Sequence, residues 1–155
     1  MLPQFITEYG FDLAAKIVPD STLKARYRVI KLNKSLCTSK GVIYLLVDTD
    51  DTILKIGGSG QTLPERWVSY QAGTQQARER GTCSVTNYEV SSYIRDKRET
   101  FYLYAYVPPV VTAQIDLFGK RKGTIQAEVW KEYEKFFLED YADQVGSLPI
   151  LSKNK

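Results

Sequence analysis

The sequence predicts an α+β fold in which a small, mainly antiparallel sheet is flanked by helices. Two short apolar runs, residues 41–47 and 52–57, are separated by an acidic turn and indicate a β-hairpin. The Thr-x-x-Glu pattern at Thr62 and Glu65 marks a helix start, because each side chain can accept from a backbone N–H that the helix leaves unpaired. With 155 residues, 43% of them hydrophobic, the chain is long enough for one domain with a proper core.

The first forty residues are predicted to be a helical and basic N-terminal extension. A helix over residues 4–17 is favoured by apolar side chains at four-residue spacing, namely Phe5, Tyr9, Leu13 and Ile17. Residues 21–40 are basic and polar, and we interpret them as a helix or a linker. The core is expected over residues 41–145, and residues 146–155 are expected to be a loose tail or a short extended arm.

The helix predicted over residues 62–72 carries two side chains of functional interest. Pro64 fits its first turn, where the missing N–H costs nothing, and Gly73 is a suitable stop. Arg66 and Tyr70 are four residues apart, so they project from the same face of this helix.

The second half of the chain is predicted to hold an insert, two strands and a final helix. Residues 74–98 are polar, basic and irregular, whereas residues 100–107 and 111–118 are extended. A helix over about residues 124–141 is indicated by one apolar face, formed by Val129, Trp130, Tyr133, Phe136 and Phe137. Glu128 is expected in the first turns of this helix, at the edge of that face.

Composition excludes several classes of site. The chain has no histidine, and its two cysteines form no CxxC unit, so a zinc site is not expected. No apolar run could span a bilayer and the N-terminus lacks a secretory signal, which predicts a cytoplasmic protein. A net charge of +3 is too small to indicate nucleic-acid binding alone, but basic residues cluster at 24–28, 78–80, 95–98 and 120–122. Each cluster taken singly is more often an ordinary solvated surface.

The predicted hairpin brings a phenol and an ammonium group close together. Tyr44 lies near the start of the first strand and Lys55 near the end of the second, and a phenol beside a cation can serve as a base. The following loop, Gly57-Gly58-Ser59-Gly60, could turn backbone N–H groups toward an anion, but it lacks the Gly-Lys-Ser/Thr of a P-loop.

These pieces together resemble the GIY-YIG nuclease superfamily. GVIY at 41–44 and KIG at 55–57 match its two signatures, with Val for Ile and Lys for Tyr. Further pieces, read in order, are similar to the small type II restriction endonucleases of that superfamily: FDLAAKIVP, KIGGS, ERWVSY, GTCSVTNY, IDLFGK and QAEVW. The resemblance covers about residues 8–150, and it departs at Gly58, where relatives can carry a histidine.

The resemblance implies a role for five side chains. Tyr44 would activate the attacking water, Lys55 would sit beside it, Arg66 would hold the scissile phosphate, Tyr70 would be a second active-site phenol, and Glu128 would bind one divalent metal, Mg²⁺ or Mn²⁺. The chemistry is reasonable, since one carboxylate plus substrate phosphate suits Mg²⁺ and a guanidinium suits phosphate oxygens. A free phenol has a pKa of about 10, which a nearby cation lowers. The sequence leaves open whether the proton of Tyr44 goes to bulk solvent or to a metal-bound hydroxide.

The polar insert is the region expected to read double-stranded DNA. Its candidate side chains are of the types that bind base edges: Arg78, Arg80, Thr82, Ser84, Thr86 and Asn87. The basic segment around residues 24–34 is expected to assist. The resemblance also implies a homodimer, a companion DNA methyltransferase and a prokaryotic cytoplasm.

Other interpretations of these residues exist. A repair or homing nuclease of the same superfamily is one, although such proteins normally carry extra DNA-binding domains. A catalytically silent DNA-binding protein is another, and the joint presence of Tyr44, Lys55, Arg66 and Glu128 argues against it. Taken singly, each of these side chains is more often a packing or surface residue.

Overall fold

The centre of the molecule is a five-stranded sheet whose neighbouring strands all run antiparallel. The computed structural model describes residues 3–152. In chain order the elements are α1 (Gln4–Tyr9), β1 (Asp12–Pro19), β2 (Tyr27–Lys31), α2 (Lys34–Thr38), β3 (Val42–Val47), β4 (Ile53–Ser59), α3 (Leu63–Gln71), α4 (Gln75–Glu79), α5 (Val85–Lys97), β5 (Phe101–Tyr106), β6 (Val111–Leu117), β7 (Arg121–Ala127) and α6 (Trp130–Val145). The strand order is β2-β1-β5-β3-β4, which confirms the predicted α+β class.

Helices cover both faces of this sheet. On one face, α3 and α5 bury Trp67, Tyr70 and Ile94 against side chains such as Tyr44 and Leu46 of β3. On the other face, α1 and α6 bury Phe5 and Phe137. Strand β3 is buried on both sides, which explains its unbroken apolar sequence.

The hairpin of β3 and β4 forms as predicted. Tyr44 pairs with Gly57 and Leu46 pairs with Lys55, so the two predicted catalytic side chains lie on the same face of neighbouring strands. Asp48 stabilises the turn, since its carboxylate accepts from the backbone N–H groups of Asp50 and Thr52 at 2.9 Å.

The helix predicted over residues 4–17 is wrong beyond Tyr9. Gly10 adopts a left-handed conformation with φ of 71° and ends α1, because glycine occupies this region without a steric penalty. The following residues form β1, in which Leu13 and Ile17 pair with β5. The stretch 21–40 contains β2 and α2, so the first forty residues supply two strands to the sheet as well as two short helices.

The insert at 74–98 is helical, which corrects the predicted irregular segment. Thr74 and Ser84 act as N-caps of α4 and α5, each accepting from the backbone N–H three residues ahead. Helix α5 buries Val90, Ser91 and Ile94 against the sheet side of the core. Packing of this apolar stripe outweighs the polar composition that suggested a loop.

The final helix begins later than predicted, since residues 124–127 belong to strand β7. Strands β6 and β7 form a separate two-stranded hairpin, with Ala113 paired to Ile125. Glu128 therefore lies in the short connection before α6, and not in the first turns of the helix.

The chain beyond α6 is docked, in contrast to the loose tail or extended arm that we predicted. Gly146 ends α6 with φ of 91°, and residues 149–152 return to strand β4. The predicted tail at 153–155 lies outside the described residues. Among helices described between residues 3 and 152, none is long and apolar enough to cross a membrane.

Candidate active site

The phenol of Tyr44 lies across the backbone of the neighbouring strand. Tyr44 is buried in β3, and a Cβ atom added at its partner Gly57 would overlap the Tyr44 ring and hydroxyl. Glycine at position 57 is thus required by the close approach of the side chain to the backbone. This packing fixes the position of the phenolic hydroxyl.

Helix α3 presents Arg66 and Tyr70 to that hydroxyl. Its start is fixed by the predicted capping box, in which the Thr62 N–H donates to Glu65 and the Glu65 N–H donates to Thr62. Trp67, on the buried side of the helix, contacts the rings of both tyrosines, with centroid distances of 5.2 Å to Tyr44 and 4.7 Å to Tyr70. The face of α3 that carries Arg66 and Tyr70, which helical spacing predicted, is therefore the face that packs toward Tyr44 in the sheet.

A chain of hydrogen bonds joins these three groups. The hydroxyls of Tyr44 and Tyr70 share a hydrogen bond. Arg66 Nη2 donates to the Tyr70 hydroxyl at 3.0 Å, and its guanidinium lies 4.1 Å from the centre of the Tyr70 ring. The other arm, Nη1, donates to Oδ1 of Asn87 in α5 at 3.3 Å. Two helices therefore hold the guanidinium in one orientation beside the two phenols.

Burial keeps both phenols protonated in the free protein. It raises the pKa of Tyr44 well above its ordinary value, and the positive charge of Arg66 offsets only part of this effect. Burial likewise raises the pKa of Tyr70. We expected Lys55 to favour the phenolate of Tyr44, but Lys55 is not among the groups that shift the pKa of Tyr44. Arg66 has this effect instead.

Lys55 lies on the same face of the sheet and is almost fully buried, with 1% of its surface exposed. Its ammonium donates to the backbone carbonyl of Leu151 at 3.2 Å. The tail beyond α6 is therefore in direct contact with a predicted catalytic side chain, which no local sequence pattern indicated.

Glu128 approaches from the end of strand β4. Its carboxylate oxygen Oε2 lies 3.6 Å from the position of a Cβ added at Gly60. Gly60 is three residues beyond Gly57, a span of at most about 10 Å. The exposed Glu128 side chain lines a cavity of about 310 Å³ together with Lys40, Gln126 and Trp130. That cavity is not lined by the other four predicted catalytic side chains.

One carboxylate near this site was missed by sequence reasoning. Glu134 in α6 is buried, with 9% exposed, and its negative charge contributes to the raised pKa of Tyr70. A Cβ at Gly58 would lie 2.5 Å from Glu134 Oε2 and 2.7 Å from Trp130 Cε3. Two side chains of α6 thus occupy the space where members of the superfamily that the sequence resembles can carry a histidine. Helical spacing from Trp130 to Glu134 was the available signal.

The predicted DNA-reading side chains are spread over α4, the following turn and the start of α5. Arg78, Arg80, Thr82 and Ser84 are exposed, whereas Thr86 and Asn87 are half-buried. Asn87 accepts a hydrogen bond from Arg66, so its amide oxygen is directed to the cluster of Arg66, Tyr70 and Tyr44. A neighbouring groove is lined by residues of the basic N-terminal segment and of the polar insert, but not by the six candidate side chains above. Its lining includes Lys24, Arg26, Gln75, Gln76, Tyr88 and Arg95.

Comparison with solved structures indicates a nuclease fold. The restriction endonuclease HPY188I, solved in complex with product DNA, is 28% identical, with a TM-score of 0.66 over 97% of this chain and 83% of that one. A mutant of bacteriophage T4 EndoII is 16% identical, with a TM-score of 0.60 over 89% of this chain and 92% of that one, and supports the fold alone. No family model and no curated protein matches the chain.

Proposed function

We propose that this protein is a site-specific double-stranded DNA endonuclease of the GIY-YIG superfamily, a type II restriction enzyme. The observation that carries the proposal is the hydrogen-bonded cluster of Arg66, Tyr70 and Tyr44 on a fold shared with a restriction endonuclease. The order of the sequence motifs supports the same reaction class.

Arg66 is suited to hold the scissile phosphate. Two of its N–H groups donate to Tyr70 and Asn87. A guanidinium has five N–H donors, so others remain for phosphate oxygens. Its positive charge would stabilise the extra negative charge that develops on the phosphate during attack. Trp67 and the sheet wall exclude water from one side, which strengthens this interaction.

Tyr44 is proposed to take the proton from the attacking water. In this role its hydroxyl oxygen must carry negative charge, which Arg66 favours, whereas the neighbouring Tyr70 raises the pKa of Tyr44. Lys55 lies on the same face of the sheet, and its positive charge is proposed to act on the substrate phosphate, since it does not shift the pKa of Tyr44. The high pKa of the Tyr44 phenol makes its phenolate a strong base once it forms.

Glu128 is proposed to hold one divalent cation, Mg²⁺ or Mn²⁺. Its exposed carboxylate beside Gly60 fits such an ion, because Mg²⁺ takes oxygen ligands and keeps several waters around one or two carboxylates. Within residues 3–152 no three potential ligands among His, Cys, Asp and Glu gather into one cluster, so Glu128 would act with substrate oxygens. The bound cation would supply charge neutralisation at the phosphate.

Recognition of the DNA sequence is assigned to α4, the turn after it and the start of α5. This region exposes Arg78, Arg80, Thr82 and Ser84 and adjoins a groove that contains Lys24 and Arg26. Arginine reads guanine bidentately, and a Ser or Thr hydroxyl can donate to or accept from a base edge, whereas the groove cations suit phosphates. Thr86 and Asn87 complete the assignment, with Asn87 shared between readout and the support of Arg66.

A homodimer is proposed because one active site cuts one strand. A symmetric pair presents two identical sites to a palindromic sequence. The hairpin of β6 and β7 supports this proposal, since its two strands place Val111, Ile115, Leu117 and Ile125 on one exposed apolar face. Identical faces of this kind can pair with each other. A restriction enzyme would also cut its host, so a companion DNA methyltransferase with the same specificity is implied.

Digestion of several mapped plasmids tests the proposal. We expect discrete bands with Mg²⁺ and intact DNA with EDTA, because cutting requires the cation and a fixed site. A smear would indicate a non-specific nuclease, and intact DNA with Mg²⁺ or Mn²⁺ would indicate a protein that only binds.

Glu128→Gln tests the metal assignment in the same assay. The amide keeps the size of the side chain but removes its charge, so we expect cleavage to fall at least about 100-fold while DNA binding in a gel-shift assay persists. Glu132→Gln, at an exposed position of α6, is the matched control. Cleavage by Glu128→Gln at the wild-type rate would remove Glu128 from the site.

A further inference from the structure

The segment after α6 closes the open edge of the central sheet. Strand β4 is an outer strand, so its outward backbone groups lack a strand partner. The Leu151 N–H donates to the Leu54 carbonyl at 2.8 Å. Ser152 then binds both backbone groups of Ile56, accepting from its N–H at 3.0 Å and donating to its carbonyl at 3.2 Å.

These contacts flank Lys55 on both sides. Leu54 and Ile56 are its neighbours in the strand, and the Leu151 carbonyl accepts from its ammonium at 3.2 Å. A buried ammonium is costly unless polar groups compensate for the lost water. Residues 149–152 form a turn in which the Ser152 N–H donates to the Pro149 carbonyl at 2.9 Å. This hydrogen bond fixes the orientation of the Leu151 carbonyl.

Ser152 lies in the protein interior, where it anchors the segment to strand β4. Ser152 is 1% exposed, and its hydroxyl uses both its donor and its acceptor capacity on one residue of β4. Leu151 packs against the same apolar cluster as Tyr44 and Trp67. The segment therefore packs on the face of the sheet that carries Tyr44, in addition to covering the edge of strand β4.

We infer that residues 149–152 are part of the active site, with Ser152 as the positioning residue that sets the Lys55 ammonium through the carbonyl of Leu151. Ser152 does not touch substrate in this assignment. It fixes the backbone from which the Leu151 carbonyl holds the ammonium of Lys55, a residue on the same face of the sheet as Tyr44. The inference rests on the proposed nuclease function, because that function gives Lys55 its task.

Ser152→Ala is the direct test. The change removes both hydrogen bonds to Ile56, so the turn should shift and the hydrogen bond from the Lys55 ammonium to the Leu151 carbonyl should weaken. We expect the single-turnover cleavage rate of full-length protein with Mg²⁺ to fall roughly 10- to 100-fold. The dissociation constant for DNA should change less than about threefold. Ser147→Ala, at an exposed serine between α6 and the turn, should cleave like the wild type.

A double-mutant cycle separates positioning from loss of structure. Ser152→Ala is also made in a Lys55→Ala background, where no ammonium remains to be positioned. We expect no further loss of cleavage rate in that background, whereas a general structural role would lower the rate again by a similar factor. Amide hydrogen exchange of Ile56, which needs no activity, should be faster in Ser152→Ala and unchanged in Ser147→Ala.

The outcomes distinguish this inference from the proposed function. A wild-type protein that cuts, together with an equally active Ser152→Ala variant, would overturn the positioning role and leave the nuclease intact. Equal losses in both backgrounds would also overturn it. A wild-type protein that leaves DNA intact would overturn the nuclease proposal and, with it, the role given to Ser152.

Discussion

Tyr44 combines two properties that oppose each other at the level of a single residue. Its burial favours the neutral phenol, yet the proposed reaction needs the phenolate. Arg66 reduces the cost of that charge through its position beside both hydroxyls. In the proposed reaction, Tyr44 would be a weak acid whose rare deprotonated form is a strong base, and the cleavage rate would depend on how often that form occurs.

Tyr44→Phe should separate packing from proton transfer. The ring still fills the space between Trp67 and Gly57, but no hydroxyl remains to accept a proton. We expect the single-turnover cleavage rate to fall about 10²- to 10⁴-fold. The thermal midpoint should change by only a few degrees. Tyr102→Phe, on the opposite face of the sheet, should cleave normally. A Tyr44→Phe variant with near-normal rates would remove this residue as the base.

The cleavage rate should also depend on pH in one direction. Because the pKa of Tyr44 lies well above its ordinary value, the phenolate fraction grows about tenfold for each pH unit throughout the range below that pKa. We expect the logarithm of the single-turnover rate to rise with a slope near one from about pH 6 to 9. A rate that is flat over this range, with DNA binding unchanged, would contradict a phenolate base.

At this scale the sequence predicted the cluster well and its support poorly. Arg66 and Tyr70 follow from helical spacing, and Tyr44 follows from a motif in a buried strand. The acceptor for Lys55 lies 96 residues away, at Leu151. Glu134 raises the pKa of Tyr70 from the opposite side of strand β4, next to Gly58. Such contacts depend on how distant segments pack, and helical spacing indicates only that Glu134 shares a helix face with Trp130.

At the scale of elements, the failures of sequence reasoning have one physical origin. Local patterns located the hairpin of β3 and β4 and the start of α3, because turn and capping chemistry are local. Residues 124–127 look helical alone but pair with β6 as a strand. Residues 85–97 look like a polar loop but bury one side against the core. In both cases tertiary contacts outweigh weak local preferences.

The hairpin of β6 and β7 makes a prediction at this scale. Ile125 lies on its exposed apolar face, whereas Thr124 is exposed on the opposite, polar face. If the apolar face pairs with that of a second copy, Ile125→Lys should place like charges opposite each other and dissociate the dimer. Sedimentation equilibrium should then report a monomer, and supercoiled plasmid should be nicked more than linearised.

Thr124→Lys is the matched control, since it adds the same charge one residue away. It should remain dimeric and give linear product like the wild type. Dimers that persist in Ile125→Lys would exclude this face from the interface.

Across the whole molecule, two apolar clusters separated by one sheet set the layout of the site. The cluster on the α3 and α5 face contains Tyr44, Trp67 and Tyr70, so the proposed catalytic phenols are also part of the packed core there. The cluster on the α1 and α6 face is built mainly of aromatic rings and contains none of the predicted catalytic residues. Glu128 lies where α6 begins, with its carboxylate beside Gly60, just beyond the end of β4.

This arrangement predicts that the protein loses stability in alkali. Burial raises the pKa of Tyr27 to about 12, and Tyr44 and Tyr70 shift in the same direction. Below pH 10 the folded and unfolded chains both hold these protons, so stability is unaffected. Above pH 10 only the unfolded chain releases them, and the free energy of unfolding falls as pH rises.

Urea unfolding at a series of pH values measures this effect. For Tyr27 alone, a pKa of about 12 against an unfolded value near 10 corresponds to roughly 2 to 3 kcal/mol lost between those pH values. Tyr27→Phe removes one titrating group along with its hydrogen bond to Ser91. The variant should therefore be less stable at pH 8 but lose stability less steeply above pH 10. Equal slopes for variant and wild type would mean that the Tyr27 phenol ionises as readily in the folded protein as in the unfolded chain.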